Sequence, residues 1–316
     1  MQKYADYIKQ IEIDSLWSGT KHILWNLDRR VNILSGVNGV GKSTILNKVV
    51  KGLSAGGEFP SHLLKGVHLK VEPEEAKWIR FDVIRSVDRP LLNSEMISKV
   101  DLTLVTELDW QLFQLQRKYL DYQVNIGNRI IAVLQSGEPD AAQKAQALSE
   151  PKRMFQDIVD DLFRETGKTI IRTANEIKFN QIGEVLQPYQ LSAGEKQMLA
   201  ILLTVLVEDN QSYVLFMDEP FAALDAITRL KMQDDIHRIA EEEGVTVVFV
   251  THDIEEAVAL ADRIVVLTPN PGRVKEIIKV ELGPDRLRTA DDFLAVRDHV
   301  FDVFGMKPNW NVEYVI

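Results

Sequence analysis

The chain has 316 residues, enough for one large domain or two smaller ones, and with 45% apolar and 27% charged residues it can bury a sizeable core. Its 47 acidic against 37 basic residues give a net charge of −10, which argues against broad sequence-independent DNA binding while leaving room for a local basic patch. Cysteine is absent, so disulfides and thiolate metal sites are excluded. The opening residues, Met1 to Asp6, lack the apolar stretch of a secretory signal. The longest apolar run, Met198 to Val207, is too short to span a bilayer and reads as a buried helix. The expectation is a cytoplasmic protein, peripheral at the inner face of the cell membrane if it serves one.

In chain order, Tyr7 to Ile13, Lys21 to Leu27 and Val67 to Val71 read as strands of an antiparallel β side sheet. Between them, the β-branched run Val31-Asn32-Ile33-Leu34 predicts a buried strand ending at Ser35-Gly36. Gly36-Val37-Asn38-Gly39-Val40-Gly41-Lys42-Ser43 follows, then Thr44 to Val50 with helical periodicity. A strand, a glycine-rich loop and a helix in that order are what a phosphate-binding loop requires. Gly36, Gly39 and Gly41 let the backbone curl so that the loop's N–H groups, with Asn38 among the candidate contacts, converge on phosphate oxygens, and the helix start at Ser43 and Thr44 adds partial positive charge. Lys42 is suited to the β- and γ-phosphates of ATP, and Ser43 to Mg²⁺. The plainer alternative, a turn with an incidental lysine, leaves that context unused.

Trp78 to Ile84 predicts another strand. Leu108, Leu112, Leu115, Tyr119, Tyr122, Ile126 and Val133 then fall at alternating three- and four-residue steps with one gap, predicting a helix from Glu107 to Gln135 roughly 40 Å long. After Gly137-Glu138-Pro139-Asp140, helices are expected from Ala141 to Leu148 and, beyond Pro151, from Lys152 to Glu165. This region reads as a helical subdomain, with a short projecting arm for a partner helix as the alternative. Ser192, with Glu195 three residues on, is a capping-box start for the helix that runs on from Ala193. Tyr213 to Met217 and Thr246 to Val250 read as buried parallel strands. They deliver Asp218-Glu219 and Thr251-His252 at their carboxyl ends, where open α/β sheets hold ligands. Near the end, Thr289 is a candidate cap for an amphipathic helix from Ala290 to Phe304, with Phe293, Val296, Val300 and Phe304 inward.

Five elements stand in a single order: the phosphate loop, Leu191-Ser192-Ala193-Gly194-Glu195, Met217-Asp218-Glu219-Pro220, Ala223-Leu224-Asp225 and Thr251-His252-Asp253. Together they resemble an ATP-binding-cassette (ABC) ATPase. That resemblance implies an α/β fold, a P-loop NTPase of ABC type. It has a mostly parallel core sheet with flanking helices, an antiparallel β side sheet and an inserted helical subdomain. It implies Mg²⁺ on Ser43 and Asp218, Glu219 polarising the attacking water, and His252 and Lys42 on the γ-phosphate. Ser192 and Gly194 would address an ATP held by a partner subunit, and Asp225 would reach across that interface. The implied assembly is a head-to-tail dimer, with itself or a homologous subunit, closing on two ATP molecules. Trp17 is the candidate for stacking on adenine; Trp25 is the alternative, and both suit a core.

From Asp218 to about Phe304 the text is similar to ATP-binding subunits of nitrate/sulfonate/taurine importers. The carrying residues are Phe221 to Arg229, Thr251 to Ala257 and Pro269-Asn270-Pro271-Gly272-Arg273. Residues 1–217 look more like soluble SMC- and RecF-like ATPases, through Ile33 to Gly39 and Leu191 to Gln197. The stretch from Lys42 to Leu191 is longer than the importer pattern. The strand ending at Ile84 runs into Arg85-Ser86-Val87-Asp88 without the glutamine that couples importers to their membrane subunits. The chain thus reads like a chimera joined near Pro220. The expected division is 1–105 and 191–283 as the ATPase core, 106–190 as the helical insertion, and 284–316 as a C-terminal helix and tail. Two functions follow: an importer ATPase bound to a membrane permease, or a soluble ATPase acting on DNA or a protein partner. A third, binding ATP without hydrolysis, is opposed by Glu219.

Overall fold

The computed structural model describes residues 3–16, 21–54, 58, 66–85, 106–208, 211–242, 244–268, 273–283 and 286–306; Trp17, Pro269 to Gly272 and the tail from Asn309 lie outside them. Two compact units divide the chain. The first holds residues 1–85, 212–219 and 232–316, the second residues 86–211 and 220–231.

In the first unit, β1 (Tyr7–Leu16) and β2 (Lys21–Asn26) run antiparallel. β3 (Val31–Ser35), buried along its whole length, leads through the glycine loop into α1 (Lys42–Ser54). β4 (Val67–Glu72) pairs with β1 and completes a side sheet ordered β2-β1-β4. Its in-out alternation is the period of a strand with one buried face. Ile8, Ile11, Ile13, Ile23 and Trp25 from this sheet share one core with Ile45, Leu46 and Val49 of α1. β5 (Phe81–Arg85) starts later than the sequence suggests, and Trp78 makes an isolated parallel bridge with Tyr4 outside it.

The second unit is mainly helical. α2 (Glu107–Gln135) starts at a capping box between Thr106 and Asp109, and its stripe is buried from Leu108 through Ile126. Val133 is only half-buried, so the stripe outlasts its partners. α3 (Ala141–Leu162) is one helix that passes through Pro151, where two were expected. Proline removes the bond to the Ala147 carbonyl, but Ala147 is exposed and water can take that acceptor. A small antiparallel meander follows, β6 (Lys168–Ile170), β7 (Phe179–Gln181) and β8 (Glu184–Leu186). α4 (Ala193–Val207) is buried almost all round and packs on α2, as its apolar run implied.

The first unit resumes with β9 (Val214–Asp218), β10 (Thr246–Thr251), β11 (Arg263–Leu267) and β12 (Val274–Lys279). With β3 and β5 they form a six-stranded sheet ordered β12-β11-β3-β10-β9-β5, parallel except for β12. α5 (Ala226–Glu242) precedes β10, and the seven-residue α6 (Ile254–Leu260) follows it. α7 (Asp291–Phe304) closes the described chain. Its N-cap is Ala290 and no side chain caps it, so Thr289 does not have the expected role. Val303 rather than Phe304 joins Phe293 and Val300 in the core, and Val296 is half-buried. Among the described residues no helix is long and apolar enough to cross a membrane.

Candidate functional site

The carboxyl ends of three parallel strands bring the first group of candidates together. β3 ends at Ser35 beside Thr251 of β10, and Val250 of β10 is the register partner of Asp218 on β9. A parallel sheet turns all these strands the same way, so the phosphate loop, Asp218-Glu219 and His252 emerge at one edge. Gly39 and Gly41 take φ of 81° and 97°, the left-handed region that glycine enters without penalty. The loop thereby curls over Lys42, whose Nζ donates to the carbonyls of Gly36 at 2.8 Å and Val37 at 3.3 Å. Burial pushes the Lys42 pKa down, against the nearby charges of Glu219 and Asp218. Ser43 and Thr44 stand exposed in the first turn of α1, with Asn38 and Gly39 exposed on the loop.

The Ser43 hydroxyl donates to Asp218 Oδ1 at 2.8 Å. Burial holds the Asp218 carboxyl above its ordinary range, Glu219 adds to that shift, and the Ser43 bond opposes it. A hydroxyl and a half-buried carboxylate in contact are hard oxygen donors, and a cation there would offset the burial that disfavours the charge. This donor set fits Mg²⁺, which takes few protein ligands and fills its other positions with water and phosphate oxygens.

Glu219 sits one residue past the strand with φ of 47°, one of two non-glycine residues with positive φ among those described. Its N–H donates to the Val250 carbonyl at 2.9 Å, and its Oε1 lies 3.0 Å from His252 Nδ1. Asp253 caps α6 by accepting from the Glu256 N–H at 3.1 Å, which fixes the helix that starts just past His252. One residue was missed. Arg85 pairs in register with Asp218 and donates to Asn47 on α1 at 3.3 Å, and its charge, after the Ser43 bond and the charge of Lys42, partly opposes the upward shift of the Asp218 pKa. A cation closing the predicted strand that neighbours Asp218 was the available signal.

The second group lies in the other unit. The Ser192 hydroxyl accepts from the Glu195 N–H at 3.3 Å, and Glu195 Oε2 accepts from the Ser192 N–H at 2.9 Å. A β-carbon on Gly194 would lie 3.1 Å from both the Ala223 carbonyl oxygen and Leu224 Cδ2, so this turn packs where only glycine fits without adjustment. Asp225 is exposed and accepts from the N–H groups of Ile227 and Thr228, both at 3.0 Å, capping α5. Trp25 is 1% exposed in the core and has no face for a base.

The sheet order, the glycine loop and the acidic strand end define an α/β P-loop NTPase fold of the ATP-binding-cassette type. No protein-family model matches the chain. It is 48% identical over 116 residues to an uncharacterized ABC transporter ATP-binding protein of Methanocaldococcus jannaschii, covering 37% of this chain and 42% of that protein. Over 126 residues it is 44% identical to an aliphatic sulfonates import ATP-binding protein of Bacillus licheniformis, covering 40% of this chain and 48% of that one. The chain therefore spans about half the length, or less, of these curated relatives. In fold it is similar to an Smc head domain of Pyrococcus furiosus, at a TM-score of 0.51 and 13% identity over 86% of this chain and 96% of that one. The likeness is thus double, to importer subunits in sequence and to an Smc head in fold.

Proposed function

We propose that the chain binds Mg²⁺-ATP and hydrolyses it as half of a head-to-tail dimer, as the ATP-binding subunit of a membrane importer of the nitrate/sulfonate/taurine class. The observation that carries the chemistry is the convergence of two pairs at one sheet edge, Ser43 with Asp218 and His252 with Glu219. Lys42 would exchange its loop carbonyls for the β- and γ-phosphate oxygens. Ser43 and Asp218 would hold Mg²⁺, which neutralises charge on the phosphates when bound. Glu219 would orient the attacking water and accept its proton, worth about 10²–10⁴ in rate, with His252 fixing the carboxylate. Ser192 and Gly194, at the N-terminus of α4, would address the partner's γ-phosphate, and Asp225 the dimer interface. Such a subunit works in the cytoplasm, held at the membrane by its permease.

A second reading, a soluble ATPase acting on DNA or a protein partner, is favoured by the stretch Arg85-Ser86-Val87-Asp88, which carries no glutamine where the importer pattern has one near the end of this strand. One experiment tests the shared core. Glu219→Gln, run on a sizing column with and without ATP and Mg²⁺, is expected to be trapped as a dimer. Wild-type turnover should rise more steeply than linearly with protein concentration. A monomer under all conditions, with wild-type turnover linear or absent, would refute the composite site. Stimulation by a permease, or by DNA or a soluble protein, then separates the two readings.

A further inference from the structure

His252 lies between β10 and α6, so its direction depends on how α6 is held. With seven residues, α6 is too short to be stable alone. Much of its anchorage comes from residues 286–304. Arg286, with its side chain 7% exposed, donates Nη1 to the Ala261 carbonyl at 2.5 Å and to those of Val258 and Ala259 at 3.3 Å. These are the carbonyls that a helix leaves without partners at its C-terminal end. The same guanidinium reaches Asp262 Oδ1 at 3.3 Å, and Asp262 Oδ2 accepts from the Val31 N–H of the central sheet at 2.9 Å.

The other end of α6 is held through α5. Arg288 donates to Gln233 Oε1, and Gln233 Nε2 donates to Glu256 Oε1 at 3.0 Å. Gln233 is 2% and Glu256 5% exposed, so this relay is out of water, where a broken hydrogen bond costs most. Glu256 is the residue whose N–H Asp253 caps, next to His252. Arg297 of α7 lies 3.9 Å from Glu255 in the same first turn. Phe293, Val300 and Val303 bury the inner face of α7, which packs on α6.

We propose that the segment from Arg286 to Phe304 is the positioning element of His252. Arg286 fixes the C-terminal end of α6. Arg288, acting through Gln233 and Glu256, fixes the end that aims the imidazole at Glu219. The inference rests on the hydrolysis reading for its kinetic part only, since the aim of the imidazole exists without nucleotide. A segment that merely added core would raise stability and leave His252 where it is.

The test uses the full chain labelled with ¹⁵N-histidine, the His252 resonance being assigned by its loss in His252→Ala. In nucleotide-free Arg288→Ala the His252 ring signal should move, while those of His22 and His68 on the side sheet hold their positions. With ATP and Mg²⁺, kcat should fall roughly 10- to 100-fold with ATP affinity within about twofold, and Arg288→Lys should recover part of it. In a His252→Ala background, Arg288→Ala should change turnover by less than about twofold. An unmoved His252 signal, or the full loss persisting without His252, overturns the proposal. Should Arg288→Ala unfold, Glu256→Gln carries the same comparison. A wild-type chain without turnover refutes hydrolysis and leaves the ring signal to decide on the positioning role.

Discussion

Replacing Lys168 by methionine keeps the length of the stem and removes the ammonium that lies 2.8 Å from Glu195 Oε1. The two side chains are 12% and 6% exposed. The same carboxylate accepts from Thr166 Oγ1 at 2.8 Å and from the Ser192 N–H at 2.9 Å. Burial alone pushes the Glu195 carboxyl up, but Lys168, the Ser192 amide and Thr166 outweigh it and hold the pKa below the ordinary value. Breaking a buried pair by deleting one member costs about 3–5 kcal/mol, because the other charge is left stranded. Lys168 retains some access to water, which places the loss at the lower end, about 3 kcal/mol. The pH dependence has a definite sign. In the wild type the carboxyl's contribution is complete above the unfolded carboxylate range and drains away as pH falls through the lower folded value. In Lys168→Met the strongest of the groups that hold the pKa down is gone, so the Glu195 pKa rises toward its unfolded value and this pH-dependent contribution shrinks. The stability gap should therefore narrow from about 3 kcal/mol at neutral pH to a smaller value near pH 4. Hydrogen exchange of α4 peptides, corrected for intrinsic rate, reads it as protection lost on the order of 10²-fold at neutral pH and much less in acid. Equal losses at both pH values, or none at neutral pH, would refute the reasoning.

Gly194→Ala should lower stability by about 1–3 kcal/mol in thermal unfolding, since the contact at 3.1 Å is with backbone and outweighs the gain in helix propensity. Asp225→Ala removes the acceptor for two N–H groups and should cost about 1 kcal/mol, whereas Asp225→Asn should keep most of it in the same assay.

The phosphate loop and the acidic strand end were legible because strand, glycines and helix must occur together for that loop to form, and buried parallel strands leave unbroken β-branched runs. The stripe of α2 was equally plain, since seven apolar side chains at a helical period have no other regular use. What stayed hidden depends on contacts distant in sequence. β6, β7 and β8 have three residues each, too few to show an alternation. Pro151 reads as a break, and only the exposure of the turn before it makes a continuous helix tolerable. The relay from Arg288 through Gln233 to Glu256 joins residues 55 and 23 positions apart, and no spacing rule links them.

The left-handed backbone of Glu219 bears directly on the proposed mechanism. Pro220 disfavours the right-handed helical region for the residue before it, and the observed φ of 47° lies where a side chain costs roughly 1–2 kcal/mol. The contact with His252 does not repay that cost, because those side chains are 52% and 27% exposed and such pairs contribute little. The strain is thus held by the surrounding sheet, through the Glu219 N–H on the Val250 carbonyl, and its return is the position of the carboxylate. Two changes at one position separate these effects. Glu219→Gln keeps the β-carbon and the strain, while Glu219→Gly releases the strain; both should lower turnover by about 10²–10⁴. Glycine adds freedom to the unfolded chain, which takes back part of the gain, so Glu219→Gly should be more stable than Glu219→Gln by about 1 kcal/mol in thermal unfolding. A glycine variant no more stable than the glutamine variant would mean that Glu219 is not strained, and its placement would then need no support from the sheet.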